Sequence, residues 1–337
     1  MNSIEFETEL ALRRQELYQH PTIDIINQGF RPVSGMPADF CVIQGGGRYH
    51  FFYIERRLQE GTPFFPGNEI YFGHASTADL ATWEVHDPVL LIRPGTWEGA
   101  HVWAPFVLRH QGRYVMAYTG VNRCMSQDIG LAVSDDLFDW KRLDRNPLSP
   151  AKDRPWAFWR EDGIASCRDP HLLAHDHRVW MTYTANTREG ASCVALASSS
   201  DLVAWEDHGP ILQGPTDGYQ VVTSRENPFG RGRPQGQLES SHLLSKNGRW
   251  YLLVQAHMAW SPVRNWIMES ARLDAFDLAQ GREFWPNAYT VEVVRERGAR
   301  SLLACTGPIR FGVVDWSQEQ PVGRFIDTRE ELASWLD

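Results

Sequence analysis

The sequence predicts an all-β chain folded as a five-bladed β-propeller. Three observations predict it: an internal repeat of about 65 residues, strand chemistry inside each repeat, and a length of 337 residues that holds five copies. One segment occurs four times, turning beside an arginine each time: GGGRYHFFYI (Gly45 to Ile54), QGRYVMAYTG (Gln111 to Gly120), DHRVWMTYTA (Asp176 to Ala185) and NGRWYLLVQA (Asn247 to Ala256). The arginines Arg48, Arg113, Arg178 and Arg249 stand 65, 65 and 71 residues apart. These segments are short, aromatic and β-branched, with Gly, Asn or Asp at the turns, as strands and hairpins require.

A second element follows the first three copies: FGHASTADLATW (Phe72 to Trp83), IGLAVSDDLFDW (Ile129 to Trp140) and VALASSSDLVAW (Val194 to Trp205). In each, a small and apolar strand runs into Asp-Leu-x-x-Trp, a turn that ends by packing an indole. ESARLDAFDL (Glu269 to Leu278) reads as a degenerate fourth copy, and SLLACTGPIRFGVVDW (Ser301 to Trp316) supplies strands for a fifth blade. Two helical segments are expected outside the blades. One lies within residues 1–20 (Ser3 to Tyr18), and the other covers 326–337, opening on a Thr328-x-x-Glu331 capping box. No Pro/Gly/Ser-rich linker divides the chain, so residues 1–337 read as a single domain.

Composition narrows the partners. A net charge of −9 without a Lys/Arg-rich run argues against nucleic acid or an anionic membrane. No stretch approaches 18 apolar residues, and the charged N-terminal segment has no apolar h-region, so neither a membrane span nor a signal peptide is expected and the cytoplasm is the expected location. The five cysteines, Cys41, Cys124, Cys167, Cys193 and Cys305, form no CxxC pair and read as buried free thiols. The 14 tryptophans suit sugar recognition, although several occupy fixed repeat positions and serve packing.

The chemistry lies just before each turn, on what would be the innermost strand of each blade. Asp39 stands nine residues before Arg48, Asp169 nine before Arg178 and Glu239 ten before Arg249. Singly, each acid caps a strand or turn as readily as it serves a site. In register, all three converge on the propeller axis. Like charges gathered there cost free energy unless their pKa values separate or a ligand binds them. Glycoside cleavage uses such a group: one acid protonates the leaving oxygen, and a second carboxylate attacks the anomeric carbon or activates the water that does. Arg168 beside Asp169 would hold that carboxylate ionised and reach sugar hydroxyls.

The triad, the Arg168-Asp169-Pro170 motif and the segment GHASTADLATWEVHDPVLL (Gly73 to Leu91) resemble glycoside hydrolase family 32 and its propeller relatives, families 43, 62 and 68. The resemblance covers about residues 35 to 260. It implies Asp39 as nucleophile, Asp169 as transition-state stabiliser and Glu239 as general acid/base. It also implies a small furanoside substrate, fructofuranosides first, cleaved with retention. The chain departs from the family in four places. Asp39 is followed by Phe40-Cys41-Val42 in place of Pro-Asn-Gly, and Ser240 replaces the cysteine expected after the acid/base. His101-Val102-Trp103-Ala104-Pro105 is more similar to family 43. There is no room for a C-terminal β-sandwich. A family 43-like inverting arabinofuranosidase or xylosidase, a non-catalytic sugar-binding propeller, and transfer to a sugar or phosphate acceptor remain alternatives.

Phe40, His101, Trp103 and Arg168 are the expected substrate contacts, with Trp103 as readily a core residue. His101, His171, His242 and His257 show no metal-ligand spacing and read as histidines satisfied by hydrogen bonds, so no metal or cofactor is expected. A calcium on the axis is what the resemblance to family 43 would add. Arg225, Arg231 and Arg233, in the polar loop Thr223 to Gln237, read as a solvated loop or as a lid binding a sugar hydroxyl or phosphate. The partner implied is an oligosaccharide or small glycoside.

Overall fold

A computed structural model of the chain describes residues 29–32, 35–57, 68–215, 237–257 and 264–336. The expected N-terminal helix and the arginine-bearing loop lie outside the described residues. The rest forms five four-stranded antiparallel sheets. Blade 1 holds β1 (Gly35–Gly45), β2 (Arg48–Arg57), β3 (Phe72–Thr77) and β4 (Trp83–Val89). Blade 2 holds β5 (His101–His110), β6 (Arg113–Val121), β7 (Gln127–Ser134) and β8 (Lys141–Arg142). Blade 3 holds β9 (Cys167–His175), β10 (Arg178–Asn186), β11 (Ser192–Ser199) and β12 (Glu206–Gln213). Blade 4 holds β13 (Gln237–Lys246), β14 (Arg249–His257), β15 (Arg264–Ser270) and β16 (Arg282–Glu283). Blade 5 holds β17 (Tyr289–Arg297), β18 (Arg300–Thr306), β19 (Arg310–Asp315) and β20 (Arg324–Phe325).

The inner strands β1, β5, β9, β13 and β17 pack side by side in that order, and β17 returns to β1, so the sheets close into a ring. Each repeated arginine opens the second strand of its blade, as the spacing predicts. The Ser301 to Trp316 segment supplies β18 and β19. The inner strand of blade 5 was not visible in the repeat, because its hairpin keeps neither the spacing nor the aromatic pattern of the others.

The Asp-Leu-x-x-Trp turns repeat at the atomic level. Asp136 Oδ1 accepts the amides of Phe138 and Asp139 at 2.9 Å, and Asp201 Oδ1 accepts those of Val203 and Ala204 at 2.8 Å. Asp79 holds Ala81 and Thr82 in the same way. The leucine of each turn, Leu80, Leu137 or Leu202, sits at positive φ (57°, 74° and 62°). That conformation costs about 1–2 kcal/mol, and the aspartate hydrogen bonds offset it. The degenerate fourth copy breaks the pattern: after β15 it runs into a short 3-10 turn at Leu278–Gln280 capped by Asp277.

Five apolar clusters fill the blade junctions. The seam between blades 5 and 1 combines Phe40, Phe51 and Trp83 with Leu302, Phe311 and Trp335. Phe30 locks this seam. Its amide and carbonyl exchange 2.9 Å hydrogen bonds with Ile309 of blade 5, and its ring stacks on Trp83 of blade 1 at 4.1 Å. The C-terminal helix is shorter than expected, α1 (Arg329–Ala333), and Thr328 does cap it, accepting the Glu331 amide at 3.1 Å. The Glu331 carboxylate pairs with Arg324. All five cysteines are free thiols; four are buried as expected, whereas Cys124 is exposed. Among the described residues no helix is long and apolar enough to cross a membrane.

Truncating Phe30 removes the ring that bridges the two ends of the circle. The Phe30→Ala variant is expected to lose about 3–5 kcal/mol, read as a lower urea midpoint. An unchanged midpoint would show that the seam closes without it.

Candidate functional site

Every inner strand carries a β-bulge near its start. The register slips between Pro37 and Phe40 in β1, Trp103 and Phe106 in β5, Arg168 and His171 in β9, Glu239 and His242 in β13, and Tyr289 and Val291 in β17. A bulge leaves a residue unpaired and re-aims its side chain. Ala104, Asp169, Ser240 and Thr290 take left-handed backbone there, with φ of 45°, 56°, 50° and 38°. Pro105 and Pro170 sit inside their bulges, where a ladder amide is not required.

The freed amides become the site's connections. The Asp169 N–H donates to Thr119 Oγ1 of blade 2 at 3.0 Å, and the Ser240 N–H of blade 4 donates to Asp169 Oδ2 at 3.0 Å. Ser240 Oγ reaches Asp39 Oδ1 at 3.2 Å, and Thr290 Oγ1 of blade 5 donates to the same oxygen at 2.6 Å. Thr290 in turn accepts from Gln255 Nε2 at 2.8 Å. Arg168 is buried at the centre of the group. Its Nε lies 3.4 Å from Asp169 Oδ2, its Nη2 3.2 Å from Glu239 Oε2, and its Nη1 2.9 Å from Ser166 Oγ. Gln237 Nε2 also donates to Glu239 Oε2, at 3.0 Å.

Asp39, Asp169, Glu239 and Arg168 therefore meet at one end of the axis. The bulge also explains the odd spacing of Glu239. Ser240 occupies the bulge position of Asp169, while Glu239 pairs with Gln255 just as Arg168 pairs with Thr184. Glu239 is thus the counterpart of the arginine, one residue outward, and its side chain is 23% exposed against 6% for Asp169.

Burial raises the pKa values of Asp39 and Asp169, and the neighbouring acids add to the rise. Burial pushes Asp169 up to about 7; Arg168 opposes the rise, and Asp39 and Glu239 add to it. Burial likewise raises Asp39, the Thr290 hydroxyl pulls it back, and Glu239 pushes it further. Arg168 therefore favours the ionised form of Asp169 as expected, but burial outweighs it.

The other expected contacts divide. Trp103 and His101 lie at the rim: the Trp103 indole donates to Glu69 Oε2 at 2.7 Å, and the two rings stack at 5.4 Å. Glu69 also binds Arg56 Nε at 2.7 Å. His101 meets the Asn68 carbonyl at 3.2 Å, and its burial lowers its pKa. Phe40 is a correction. It is 1% exposed and packs on Phe51 in the seam core, because on the far side of the bulge its side chain turns away from the axis.

The histidines need a second correction. His171 is buried with neither ring nitrogen hydrogen-bonded among the described residues, and it lies with His242 and Glu292 in one buried group. The side chain of His257 lies outside the described residues.

Sequence reasoning missed Thr290, Gln237 and the polar residues of the second strands. Thr119, Thr184 and Gln255 each stand six residues after their arginine, a polar intrusion into an apolar strand that marks the residue facing the bulge.

Residues 37–223 match the model for the glycosyl hydrolases family 32 N-terminal domain, more than half of the chain. The chain belongs to glycoside hydrolase family 32. Among characterised family relatives, a bifunctional fructan fructosyltransferase of Allium cepa is 31% identical over 136 residues, 38% of this chain and 20% of the relative. The sucrose-6-phosphate hydrolase of Salmonella typhimurium is 25% identical over 198 residues, 57% of this chain and 39% of the relative. The family 32 chain described here therefore aligns with well under half the length of these relatives. Its fold is similar to that of a Bombyx mori family 32 β-fructofuranosidase, with a TM-score of 0.67 at 15% identity over 96% of this chain and 69% of that one. It is also similar to an endo-arabinase from Bacteroides thetaiotaomicron, with a TM-score of 0.61 at 14% identity over 91% of this chain and 98% of that one.

The raised pKa of Asp169 has a stability consequence. Between its ordinary value of 3.8 and about 7 the folded state holds a proton that the unfolded chain releases, so this group's contribution to stability falls as pH rises through that window. Asp169→Asn mimics the protonated form. Its melting temperature is expected to exceed that of the parent chain more at pH 8 than at pH 5. A difference that does not vary with pH would remove the assignment.

Proposed function

We propose that this family 32 chain is a glycosidase that cleaves a small fructofuranoside through Asp39, Asp169 and Glu239. One observation carries the reading: three carboxylates from three blades meet at one end of the axis, two of them tied by one buried guanidinium and the third joined to them through Ser240. Asp39 is the nucleophile. Its Oδ1 is fixed by Ser240 and Thr290, which leaves the second oxygen for the anomeric carbon. Glu239 is the acid/base. It is more open to solvent than Asp169, as a group that first protonates the leaving oxygen and then takes a proton from water must be. Asp169, held by the Ser240 amide and Arg168, stabilises the positive charge that develops on the ring. Arg168 is spread over Ser166, Asp169 and Glu239, so it positions carboxylates before it grips sugar. Trp103 and His101 form an aromatic wall at the rim for the apolar face of the substrate.

Retention follows from direct attack by Asp39, and a fructosyl-enzyme would then be resolved by water. The names of the relatives support fructose-containing substrates, and the fructosyltransferases among them make a sugar acceptor the competing partner for that intermediate.

Two measurements test this. Glu239→Ala is expected to lower kcat on sucrose by about 10²- to 10⁴-fold, and less on an aryl fructofuranoside whose leaving group needs no proton. Unchanged turnover would exclude Glu239 as the acid. A panel of fructosides, arabinofuranosides and xylosides, followed by NMR, is expected to show fructoside cleavage with the first-formed sugar keeping the substrate's anomeric configuration. Inverted product would reassign Asp39 as a base acting through water.

A further inference from the structure

Beneath the carboxylates, the next side chains along the inner strands build a second polar group. His171 of β9 and His242 of β13 each stand seven residues before the arginine of their hairpin, and Glu292 of β17 completes the set. They are 4%, 8% and 8% exposed. One ligand atom from each lies within 4.8 Å of the other two. The imidazoles approach to 4.0 Å between ring centroids, and Phe106 of β5 packs against His171 at 4.0 Å and against His242 at 6.3 Å. His242 Nδ1 comes within 3.3 Å of Glu292 Oε2.

The unsatisfied atoms identify what is missing. A neutral imidazole always presents one N–H and one lone pair, and a buried polar group left unpaired costs about 1–3 kcal/mol. His171 has no hydrogen-bond partner for either nitrogen among the described residues. Among the described residues an imidazole and a carboxylate stand beside it, with ligand atoms in reach of a common point. We propose that His171, His242 and Glu292 form a site for a divalent transition metal of the zinc class on the propeller axis, one layer beneath the carboxylates.

The donor set decides the class of ion. Two imidazole nitrogens and one carboxylate oxygen suit zinc and its first-row neighbours, with a fourth position for water. Calcium and magnesium call for shells made of oxygen, which this group cannot supply. Tetrahedral ligands at 2.0–2.1 Å lie roughly 3.3 Å apart, so the group closes inward modestly as it binds. The three ligands come from blades 3, 4 and 5, and the ion would fasten the blade that closes the ring to the two before it. Glu292 also senses the charge of Asp39, so a dication here would favour the ionised nucleophile above it. The site is built from residues outside the proposed catalytic set, and its test does not depend on turnover.

The full chain, stripped with chelator, would be loaded with zinc, desalted and analysed by inductively coupled plasma mass spectrometry beside Glu292→Gln and His242→Ala. About one zinc per chain is expected for the parent, and a loss of most of it in both variants. Cobalt(II) added to the stripped parent is expected to give the visible d–d absorption of a four-coordinate site. Zinc, but not calcium, is expected to raise its melting temperature. The cobalt and melting measurements use the unaltered chain, so they stand even if His242→Ala does not fold. If the parent retains no more zinc than Glu292→Gln and shows no cobalt band, the cavity holds water and the proposal fails.

Discussion

Each inner strand carries an extra residue near its start relative to the strand beside it, and the arrangement of the axis depends on that surplus. A regular ladder would pair alternate amides of the inner strands with the second strands and point alternate side chains into the seams. The bulge releases the amide of the left-handed residue, and in blades 3 and 4 that amide is used at once by a neighbouring blade. The same local distortion therefore positions a carboxylate and joins two sheets. Blade 1 supplies a carboxylate, blade 3 a carboxylate and the guanidinium beside it, blade 4 the outer carboxylate and a serine, and blade 5 a threonine.

Much of this was legible because a propeller writes its geometry into a period. Equal spacing from the arginine turns placed Asp39 and Asp169 together without any knowledge of the fold. The offset of Glu239 was visible, but its meaning was not, since a bulge is a matter of pairing and leaves no fixed signature in one strand. Phe40 was misread because neighbouring residues of a strand face opposite sides of the sheet, so the residue after the carboxylate packs in the seam core. Thr290 and Glu292 were out of reach because the fifth blade keeps the architecture of the repeat and has lost its residues. The histidines failed as a spacing argument because each metal-type ligand comes from a different blade, so no short motif can encode them.

Arg168 shows how the charges balance. Arg168 contacts two carboxylates and Arg56 acts on Asp39 and Glu239, yet burial and the crowding of three acids still raise Asp39 and Asp169. Such a site is poised toward a ligand that brings hydroxyl donors or develops positive charge of its own. Its discomfort in the free protein and its fitness for an oxocarbenium-like species have one origin.

The Phe30–Ile309 bridge has a kinetic meaning as well as a structural one. Its partners are 279 positions apart in the sequence (309 − 30), and the seam they close joins the first blade to the last. Blades 1 to 4 can each be assembled from hairpins made of neighbouring residues, but this contact has to wait for nearly all of the chain. Contacts so remote in sequence are the slow ones in folding. Until it forms, blades 1 and 5 expose apolar faces and free strand edges. The vulnerable interval in the life of this molecule is therefore the time between its last strand being made and its ring being shut.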